Sequence, residues 1–441
     1  MNGIKYRQPE EMKDSGVEWQ GFTGLEWKKT KLKYIASVRN GATPSTSDPD
    51  YWDGNIYWFT PTDFGNQSLY ESARTITERG LNSCGTNLVP KGSVIITCRA
   101  PIGGLGIIKC EEAAYNQGCK GVVPTNVISQ YLYYLLLSAA NFIQSRGKGT
   151  TFMELSSYDL NNLVVEVPNK KSQRKIANFL DLKTVQFDSI ISKKELLIQK
   201  LEEAKKSLIS EVVTGKVKIV DGEMIPREFD EIRDCGIKGW GMVPDVWQET
   251  KVKYELTNYD HLRIPLSSEV RGSMIEKQYD YYGASGVIDK VDSFLFDGKY
   301  VLVGEDGANL YSRSTALAYI AEGQFWVNNH AHILKAKNYN DDYYCFILEN
   351  LDYTVYITGA AQPKLTQDRL ANIVLYVAGY HEQCLIQDSL RSKLSKIVNC
   401  IEMYSRQIDL LKQAKQSLIS EAVTGKIDLR NWEITEEGEL Q

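Results

Sequence analysis

The sequence has few of the residues that hold metals and no apolar run long enough to cross a membrane. Its 441 residues include only four His, and its eight Cys are scattered without a CxxC pair. That usage argues against a zinc site or a disulfide framework and favours a reducing cytoplasm. The longest apolar run, Tyr131 to Leu137, is far too short for a membrane span, and the N-terminal stretch has no apolar segment typical of a secretory signal. We therefore expect a cytoplasmic protein with no membrane contact.

An excess of positive charge is also lacking. Lys and Arg number 51 against 56 Asp and Glu, so the net charge is −5. Any contact with nucleic acid must come from local patches or from a partner. Hydrophobic residues make up 43% and aromatic residues 10%, which is typical of a folded chain and excludes intrinsic disorder. At roughly 150 residues per domain, the length predicts about three units.

Signatures of catalysis and of cofactor binding are missing. A phosphate-binding loop needs a hydroxyl residue directly after its Lys, but Lys216 and Lys426 are each followed by an aliphatic residue. HExxH, GxSxG and GxGxxG are absent. His330 and His332 form a His-x-His pair, but no Cys or carboxylate cluster at ligand spacing joins them, so we interpret them as hydrogen-bonding residues. We expect a chain that is not an enzyme and holds neither metal nor cofactor.

The chain contains an internal repeat. The segment SLISEVVTGK at Ser207–Lys216 recurs as SLISEAVTGK at Ser417–Lys426, at an offset of 210 residues. Further back, a Trp-containing lead segment at Gly16–Tyr34 parallels another at Gly236–Tyr254, at an offset of 220. Such self-similarity is typical of a chain built from two copies of one structural unit. Each copy runs from the lead segment through a variable region to a helix that ends in VTGK.

Both copies of that helix have apolar residues in steps of four and three. Gly215 and Gly425 follow the last apolar turn, where a left-handed glycine would end each helix. Steps averaging 3.5 residues are typical of the seam of a coiled coil or a long helical hairpin, although two helices on separate cores would also explain them. The predicted seam is Phe187, Ile191, Ile198, Leu201, Leu208 and Val212 in the first helix and Ile397, Ile401, Ile408, Leu411, Leu418 and Ala422 in the second.

The variable regions predict an α+β fold. Residues 35–125 and 255–335 are rich in Gly, Tyr, Thr and Val, and turn signals divide them into short candidate strands. A helix rich in Tyr and Leu follows in each copy, at 130–145 and 342–352. We therefore predict an α+β globule, a long helix, a second α+β globule and a second long helix.

Gly-rich loops in both globules carry basic, amide and hydroxyl side chains. Arg can recognise guanine, and Asn or Gln can recognise adenine, in the major groove. Each of these residues, taken singly, is better explained as a solvated loop residue, and it is their placement at parallel points of both copies that makes the set a candidate. The candidate DNA contacts are Thr43, Ser45, Arg99, Gln117, Arg146 and Lys148 in the first copy and Asn309, Tyr311, Arg313, Asn329, His330 and Lys364 in the second.

The sequence as a whole resembles the specificity subunit of type I restriction–modification systems. The resemblance rests on the lead segment Gly16–Trp19, on Asn40–Phe64, on Tyr279–Ser314, on Phe325–Leu334 and on both LISE-x-VTGK helix ends. One departure is that Gly239-Trp240 is out of step with Trp19.

The resemblance implies a pseudo-two-fold repeat of two target-recognition domains and two long helices that form an antiparallel coiled coil. The corresponding segments are target-recognition domain 1 (1–168), helical region 1 (169–216), target-recognition domain 2 (217–377), helical region 2 (378–430) and a C-terminal tail (431–441).

The same resemblance implies the function and the partners. Each domain would recognise one half of a bipartite, asymmetric site in double-stranded DNA, and the helices would set the spacer. Two adenine-methyltransferase subunits would dock on the helices, and motor–nuclease subunits would join them. S-adenosylmethionine, ATP and magnesium would belong to those partners.

Two other classes of function stay open at this stage. The first is a coiled-coil assembly scaffold whose globules bind proteins. The second is a cryptic nuclease or hydrolase, for which Glu305-Asp306 is the best acidic candidate, although a turn beside a strand is the favoured explanation of that pair.

Overall fold

The computed structural model describes residues 4–65, 67–99, 102–146, 154–237, 240–359 and 362–433. Contacts divide the chain into two compact units. The first unit is Met1–Lys194 together with Arg406–Gln441, and the second unit is Glu195–Ser405. Each unit therefore combines an α+β globule with parts of both long helices.

The first globule has thirteen short strands in its described residues. They are β1 (Met12–Asp14), β2 (Phe22–Gly24), β3 (Lys28–Lys31), β4 (Ala36–Asn40), β5 (Trp52–Phe59), β6 (Ser68–Leu69), β7 (Thr75–Ile76), β8 (Val89–Pro90), β9 (Val94–Thr97), β10 (Leu105–Ile108), β11 (Glu112–Tyr115), β12 (Cys119–Pro124) and β13 (Val164–Val167). The helices up to the first long one are α1 (Glu78–Ser83), α2 (Ser129–Ser138), α3 (Ala140–Ser145), α4 (Ser157–Asn161) and α5 (Lys170–Val213).

The second globule repeats much of this order. Its strands are β14 (Val217–Val220), β15 (Glu223–Pro226), β16 (Ile232–Asp234), β17 (Met242–Pro244), β18 (Gln248–Lys251), β19 (Leu256–Asn258), β20 (Tyr279–Gly283), β21 (Gly286–Val291), β22 (Phe296–Gly304), β23 (Ala318–Val327), β24 (Ala331–Ala336) and β25 (Val374–Val377). Its helices and the second long helix are α6 (Val252–Glu255), α7 (Ser268–Ser273), α8 (Asn309–Ser312), α9 (Asp341–Asn350), α10 (Gln367–Ala371) and α11 (Tyr380–Thr424).

Corresponding strands lie in the same order in the main sheets of the two globules, and the second sheet has one additional strand, β21. The first runs β4-β12-β9-β10-β6 and the second β19-β24-β22-β23-β20-β21. In the central strand β9, Val94 and Ile96 face the core that contains α2, whereas Ile95 faces a second cluster with Phe59 and Tyr115. An uninterrupted apolar run is what a strand buried on both faces requires. The predicted α+β class is confirmed in both units.

The helix predicted at 130–145 is two helices in the structure. α2 ends at Ser138, and α3 begins at Ala140, after Ala139 with φ −87° and ψ −1°. The break lets α2 bury Tyr131 to Leu136 while α3 turns Ile143 into the same core. A periodic apolar pattern does not record such a change of direction, which is why the sequence predicted one element.

The long helices begin and end where local chemistry requires. Asn169 accepts a hydrogen bond from the Ser172 amide at 3.0 Å, which caps the start of α5. Gly215 (φ 72°) and Gly425 (φ 78°) are left-handed, as predicted for the helix ends. A Cβ at Gly215 would lie 2.3 Å from Pro244, and one at Gly425 would lie 2.4 Å from Trp27. Close packing and left-handed backbone both require glycine there.

The predicted apolar seam is covered at every position. Ile191, Val212, Ile408, Leu418 and Ala422 are buried. The other seven positions are half-buried: Phe187, Ile198, Leu201, Leu208, Ile397, Ile401 and Leu411.

Side chains join the two helices inside the first unit. The Nζ atom of Lys194 donates to Gln407 Oε1 at 2.6 Å, and Lys415 Nζ lies 2.7 Å from Asp188 Oδ1. Because residue numbers fall along one helix as they rise along the other, the pairing in this unit is antiparallel. Inside the second unit, Val212 shares a core with Ile386 and Leu390.

A β-pairing closes the ends of the two copies in equivalent ways. After the first VTGK segment, β14 pairs with β15, and the Arg227 amide donates to the Lys216 carbonyl at 2.9 Å. After the second, the Arg7 amide donates to the Lys426 carbonyl at 2.9 Å. The N-terminal segment thus takes the place that a hairpin strand holds in the other copy.

Trp19 and Trp240, which are out of step in the sequence repeat, make equivalent hydrogen bonds. Trp19 Nε1 donates to the Val164 carbonyl at 3.3 Å, and Trp240 Nε1 donates to the Val374 carbonyl at 3.2 Å.

None of the helices within the described ranges has an apolar stretch that could cross a bilayer.

Candidate nucleic-acid interface

Two predicted contact loops meet at one edge of the first unit's main sheet. Thr43 follows β4 and hydrogen-bonds the side chain of Gln117, which precedes β12. The Ala42 amide donates to the Tyr115 carbonyl at 3.1 Å. A Cβ at Gly41 would lie 2.2 Å from the Asn116 carbonyl oxygen, so only glycine permits this approach.

Two indoles hold the loop after β4 in place. Trp52 Nε1 donates to the Ser45 carbonyl and Trp58 Nε1 to the Ala42 carbonyl, both at 3.0 Å. The centroids of the two indole rings lie 5.1 Å apart in an edge-to-face arrangement, and the Arg74 guanidinium lies 3.5 Å from the Trp52 ring centroid. The backbone of Ser45 is therefore fixed while its side chain is exposed, which suits a residue that contacts a ligand.

Arg99 belongs to the same edge, whereas Arg146 does not. The Cys98 amide donates to the Gly118 carbonyl at 2.8 Å, which brings Arg99 beside the loop of Gln117. Its guanidinium is half-exposed and lies 3.4 Å from Glu154.

Arg146 borders a separate cleft of about 430 Å³. Its guanidinium lies 3.7 Å from Glu18 and 4.6 Å from the Phe142 ring centroid. Lys148 lies outside the described residues.

In the second unit, three predicted contacts surround Glu305 and Asp306. His330 Nδ1 lies 2.9 Å from both carboxylate oxygens of Asp306, and Lys364 Nζ lies 3.0 Å from Glu305 Oε1. Asn329 is exposed beside them. The acidic pair is thus occupied by basic side chains of its own domain.

In the segment 309–313, the side chain of Tyr311 is exposed, whereas that of Arg313 bonds the interior of its domain. Tyr311 is 52% exposed. The side-chain oxygen Oδ1 of Asn309 accepts a hydrogen bond from the backbone amide of Thr315 at 3.0 Å, which closes the loop that contains both residues. Arg313, with a left-handed φ of 48°, donates to the carbonyls of Leu351 and Glu349 at the end of α9. In this geometry Arg313 serves the fold of the domain.

A buried charged network that was not predicted from the sequence lies beneath these loops. His332 is fully buried, its Nδ1 lies 2.6 Å from Asp260 Oδ2, and its Nε2 lies 2.8 Å from the Leu365 carbonyl oxygen. Arg263 donates to Glu305 Oε2 at 2.6 Å. The His-x-His spacing was the only signal in the sequence, because the partners of His332 are 72 and 33 residues away.

The network keeps both of its carboxyl groups ionised. Burial acts to raise the pKa of Asp260, but the hydrogen bond and positive charge of His332 and the Ile333 amide outweigh it, and the pKa lies below its usual range. Burial likewise opposes ionisation of Glu305, yet Arg263, His332 and Lys364 lower the pKa of that carboxyl.

The first unit has a simpler pair in the equivalent place. Lys120 is buried, and its Nζ lies 3.2 Å from Asn40 Oδ1, which also accepts from Ser157 Oγ at 2.7 Å.

Within the described ranges, His, Cys, Asp and Glu side chains form no group able to hold a metal ion.

Comparison with known proteins assigns the family. The model of the type I restriction modification DNA specificity domain matches residues 25–203 and 251–418. The type I restriction enzyme MjaIX specificity subunit of Methanocaldococcus jannaschii is 27% identical over 96% of this chain and 98% of its own length. The EcoR124I/EcoR124II specificity subunit of Escherichia coli is 31% identical over 36% of this chain and 40% of its own length.

A solved structure supports the same fold. One chain from a study of complex assembly and conformational transition of the type I R-M system covers 92% of this chain and 99% of its own length. Its TM-score is 0.62 at 12% identity. The predicted resemblance is confirmed, and with it the expectation of a non-catalytic specificity subunit. The chain belongs to the type I restriction–modification DNA specificity family.

Proposed function

We propose that each globule of this chain recognises one half of a bipartite, asymmetric site in double-stranded DNA. The observation that carries the proposal is that, within each globule, candidate contacts converge at the same edge of the main sheet. Thr43, Gln117 and Arg99 meet at this edge in the first unit, and His330 and Lys364 meet at it in the second. Arg, Lys, amide and hydroxyl groups are what phosphate and base-edge contacts need.

The long helices would set the spacer and dock the methyltransferase subunits. Support comes from apolar side chains that face solvent away from the seam: Val185 is 66% exposed, Ile190 45% and Leu410 59%. Exposed apolar residues on a helix surface are typical of a protein interface. A scaffold role would share this feature but would leave the loops of the globules without a use.

The partners would supply the chemistry. Two adenine-methyltransferase subunits would bind S-adenosylmethionine and flip the target adenine out of the duplex. Motor–nuclease subunits would use ATP and magnesium. The net charge of −5 suits a subunit that shares its phosphate contacts with such partners. We place the complex in the cytoplasm, where the chromosome lies.

Methylome sequencing of the host with and without this chain tests the function. We expect loss of one split adenine motif when the chain is removed. Replacing residues 40–150 with the corresponding region of another family member should change one half of that motif only. An unchanged methylome would favour the scaffold, and a change in both halves would contradict recognition by separate globules.

A further inference from the structure

The polar pairs Lys120–Asn40 and His332–Asp260 occupy equivalent positions. Lys120, His332 and Asp260 are buried, and Asn40 is exposed. Lys120 lies on β12 opposite Ile96 of β9, and His332 lies on β24 opposite Val303 of β22. Two residues beyond Ile96, the Cys98 carbonyl accepts from the Leu155 amide at 2.9 Å.

The second unit repeats that contact. Two residues beyond Val303, the Glu305 carbonyl accepts from the Leu365 amide at 2.7 Å. Asn40 and Asp260 are separated by 220 residues, which is the offset of the repeated lead segments. The equivalent position in each copy therefore holds a buried basic side chain that is hydrogen-bonded to an oxygen acceptor.

Each pair ties together loops that carry candidate DNA contacts. In the first unit, Asn40 stands three residues before Thr43, and Lys120 stands three residues after Gln117. In the second unit, His332 stands two residues after His330, and its Nε2 bonds the carbonyl of the residue that follows Lys364. Lys120, His332 and Asp260 are too deeply buried to touch DNA themselves, whereas Asn40 is exposed. The three buried residues act through the loops.

The two pairs differ in their response to pH. Both ring nitrogens of His332 face oxygen acceptors, and an imidazole can donate from both only when it is protonated. Lys120, by contrast, donates to a neutral amide oxygen, and its amine has no second bond of this kind that depends on an added ring proton. Only the second copy thus places both nitrogens of a buried imidazole against oxygen acceptors, a carboxylate and a carbonyl.

Charged groups face His332 from every element that packs on it. Asp260 and Arg263 come from the segment after β19, and Glu305 Oε2, at the end of β22, lies 3.9 Å from Nδ1. Lys364, before α10, bonds Glu305. The pKa values of both carboxyl groups lie below their usual range, so the two oxygen acceptors stay ionised. His332 is the member of this cluster whose two hydrogen bonds need a second ring proton.

We propose that Lys120–Asn40 and His332–Asp260 are positioning pairs for the two DNA-binding edges, and that recognition of the second half-site weakens as pH rises while recognition of the first does not. The inference rests on the proposed function. Loss of one ring proton leaves a nitrogen lone pair against an oxygen. The bond from His332 to the Leu365 carbonyl is then lost, and the loop of Lys364 is held less firmly.

The test is selection of bound duplexes from a random-sequence pool by the full chain, at about pH 6.5 and about pH 9. We expect enrichment of the second half-motif to fall about tenfold at the higher pH, because one hydrogen bond to a charged group is lost, while the first half-motif is unchanged. Equal enrichment of both half-motifs at the two pH values would overturn the inference and leave the proposed function standing. Recovery of no motif at either pH would overturn both.

Exchanged pairs provide the matched variants. The double variant D260N/H332K gives the second unit the chemistry of the first, and we expect it to abolish the pH effect. N40D/K120H should move the effect to the first half-motif, which a purely structural role would not do.

Because a lysine must fit the closed site of His332, His332→Gln is the second variant. Its amide has no charge to lose, so enrichment should be the same at both pH values. Circular dichroism melting confirms that each variant is folded. Persistence of the pH effect in His332→Gln would refute the role of the imidazolium.

Discussion

Lys415 and Asp188, 227 residues apart, form an ion pair in which Nζ lies 2.7 and 2.8 Å from the two carboxylate oxygens. Lys194 and Gln407 make the next contact along the same helix pair. Together they fix the antiparallel register inside the first unit. An exposed ion pair contributes little free energy, so the apolar seam beneath it must supply the stability of the pairing.

Substitution of the seam tests that division. We expect Leu418→Ala to lower the free energy of unfolding by about 2–5 kcal/mol, because Leu418 is buried in the core that joins α11 to the first globule. Leu410→Ala is the matched control, since Leu410 is 59% exposed, and it should change stability by less than about 0.5 kcal/mol. Urea unfolding followed by circular dichroism measures both. Equal effects would show that the seam is misassigned.

Lengthening both helices together tests the proposed spacer. Seven residues inserted after Lys194 and seven before Gln407 keep the heptad phase and add about 10 Å of helix. At about 3.4 Å per base pair, the DNA spacer should lengthen by at most about three base pairs while both half-motifs persist. Methylome sequencing reports the spacer directly. An insertion of four residues in one helix alone is the control, and we expect it to impair recognition because it shifts the seam off register.

Arg313 and Tyr311 should separate a structural role from DNA contact. Arg313→Ala removes the donor to the carbonyls of Leu351 and Glu349, and we expect a loss of stability of about 1–3 kcal/mol. Tyr311→Ala removes a side chain that is 52% exposed, so stability should hold while binding of the second half-site weakens. Thermal melting and a DNA titration of each variant decide the matter. A stable Arg313→Ala chain with weakened DNA binding would assign the guanidinium to DNA instead.

Asp428 should contribute to acid sensitivity. Hydrogen bonds from the side chain and the amide of Arg430 lower the pKa of its carboxyl to about 2, against an ordinary 3.8, although slight burial opposes this. A lowered pKa stabilises the fold above the unfolded value, and this contribution is lost as pH falls from about 4 through about 2. Asp428→Asn should therefore flatten the pH dependence of the melting temperature in that range. Asp409→Asn, at an exposed position of α11, is the control for removing one carboxyl group.

Sequence patterns were sufficient wherever the interaction is local or periodic. The seam residues recur every three or four positions, so the side that is covered can be counted from the sequence. Gly215 and Gly425 end their helices because only glycine adopts the left-handed turn cheaply. The candidate loops were found by composition, but composition did not show that Arg313 turns inward or that Arg146 lies at a separate cleft.

The sequence by itself determined the two-fold repeat, the long helices with their ends, and the α+β class, because each depends on contacts between residues a few positions apart or on matching segments. Only the tertiary structure decided that Asn40 meets Lys120, that Asp260 meets His332, and that Arg7 bonds Lys426. Such partners are joined by strand pairing across many intervening residues. Which strands pair depends on how the whole sheet buries its apolar faces, and no local pattern records that choice.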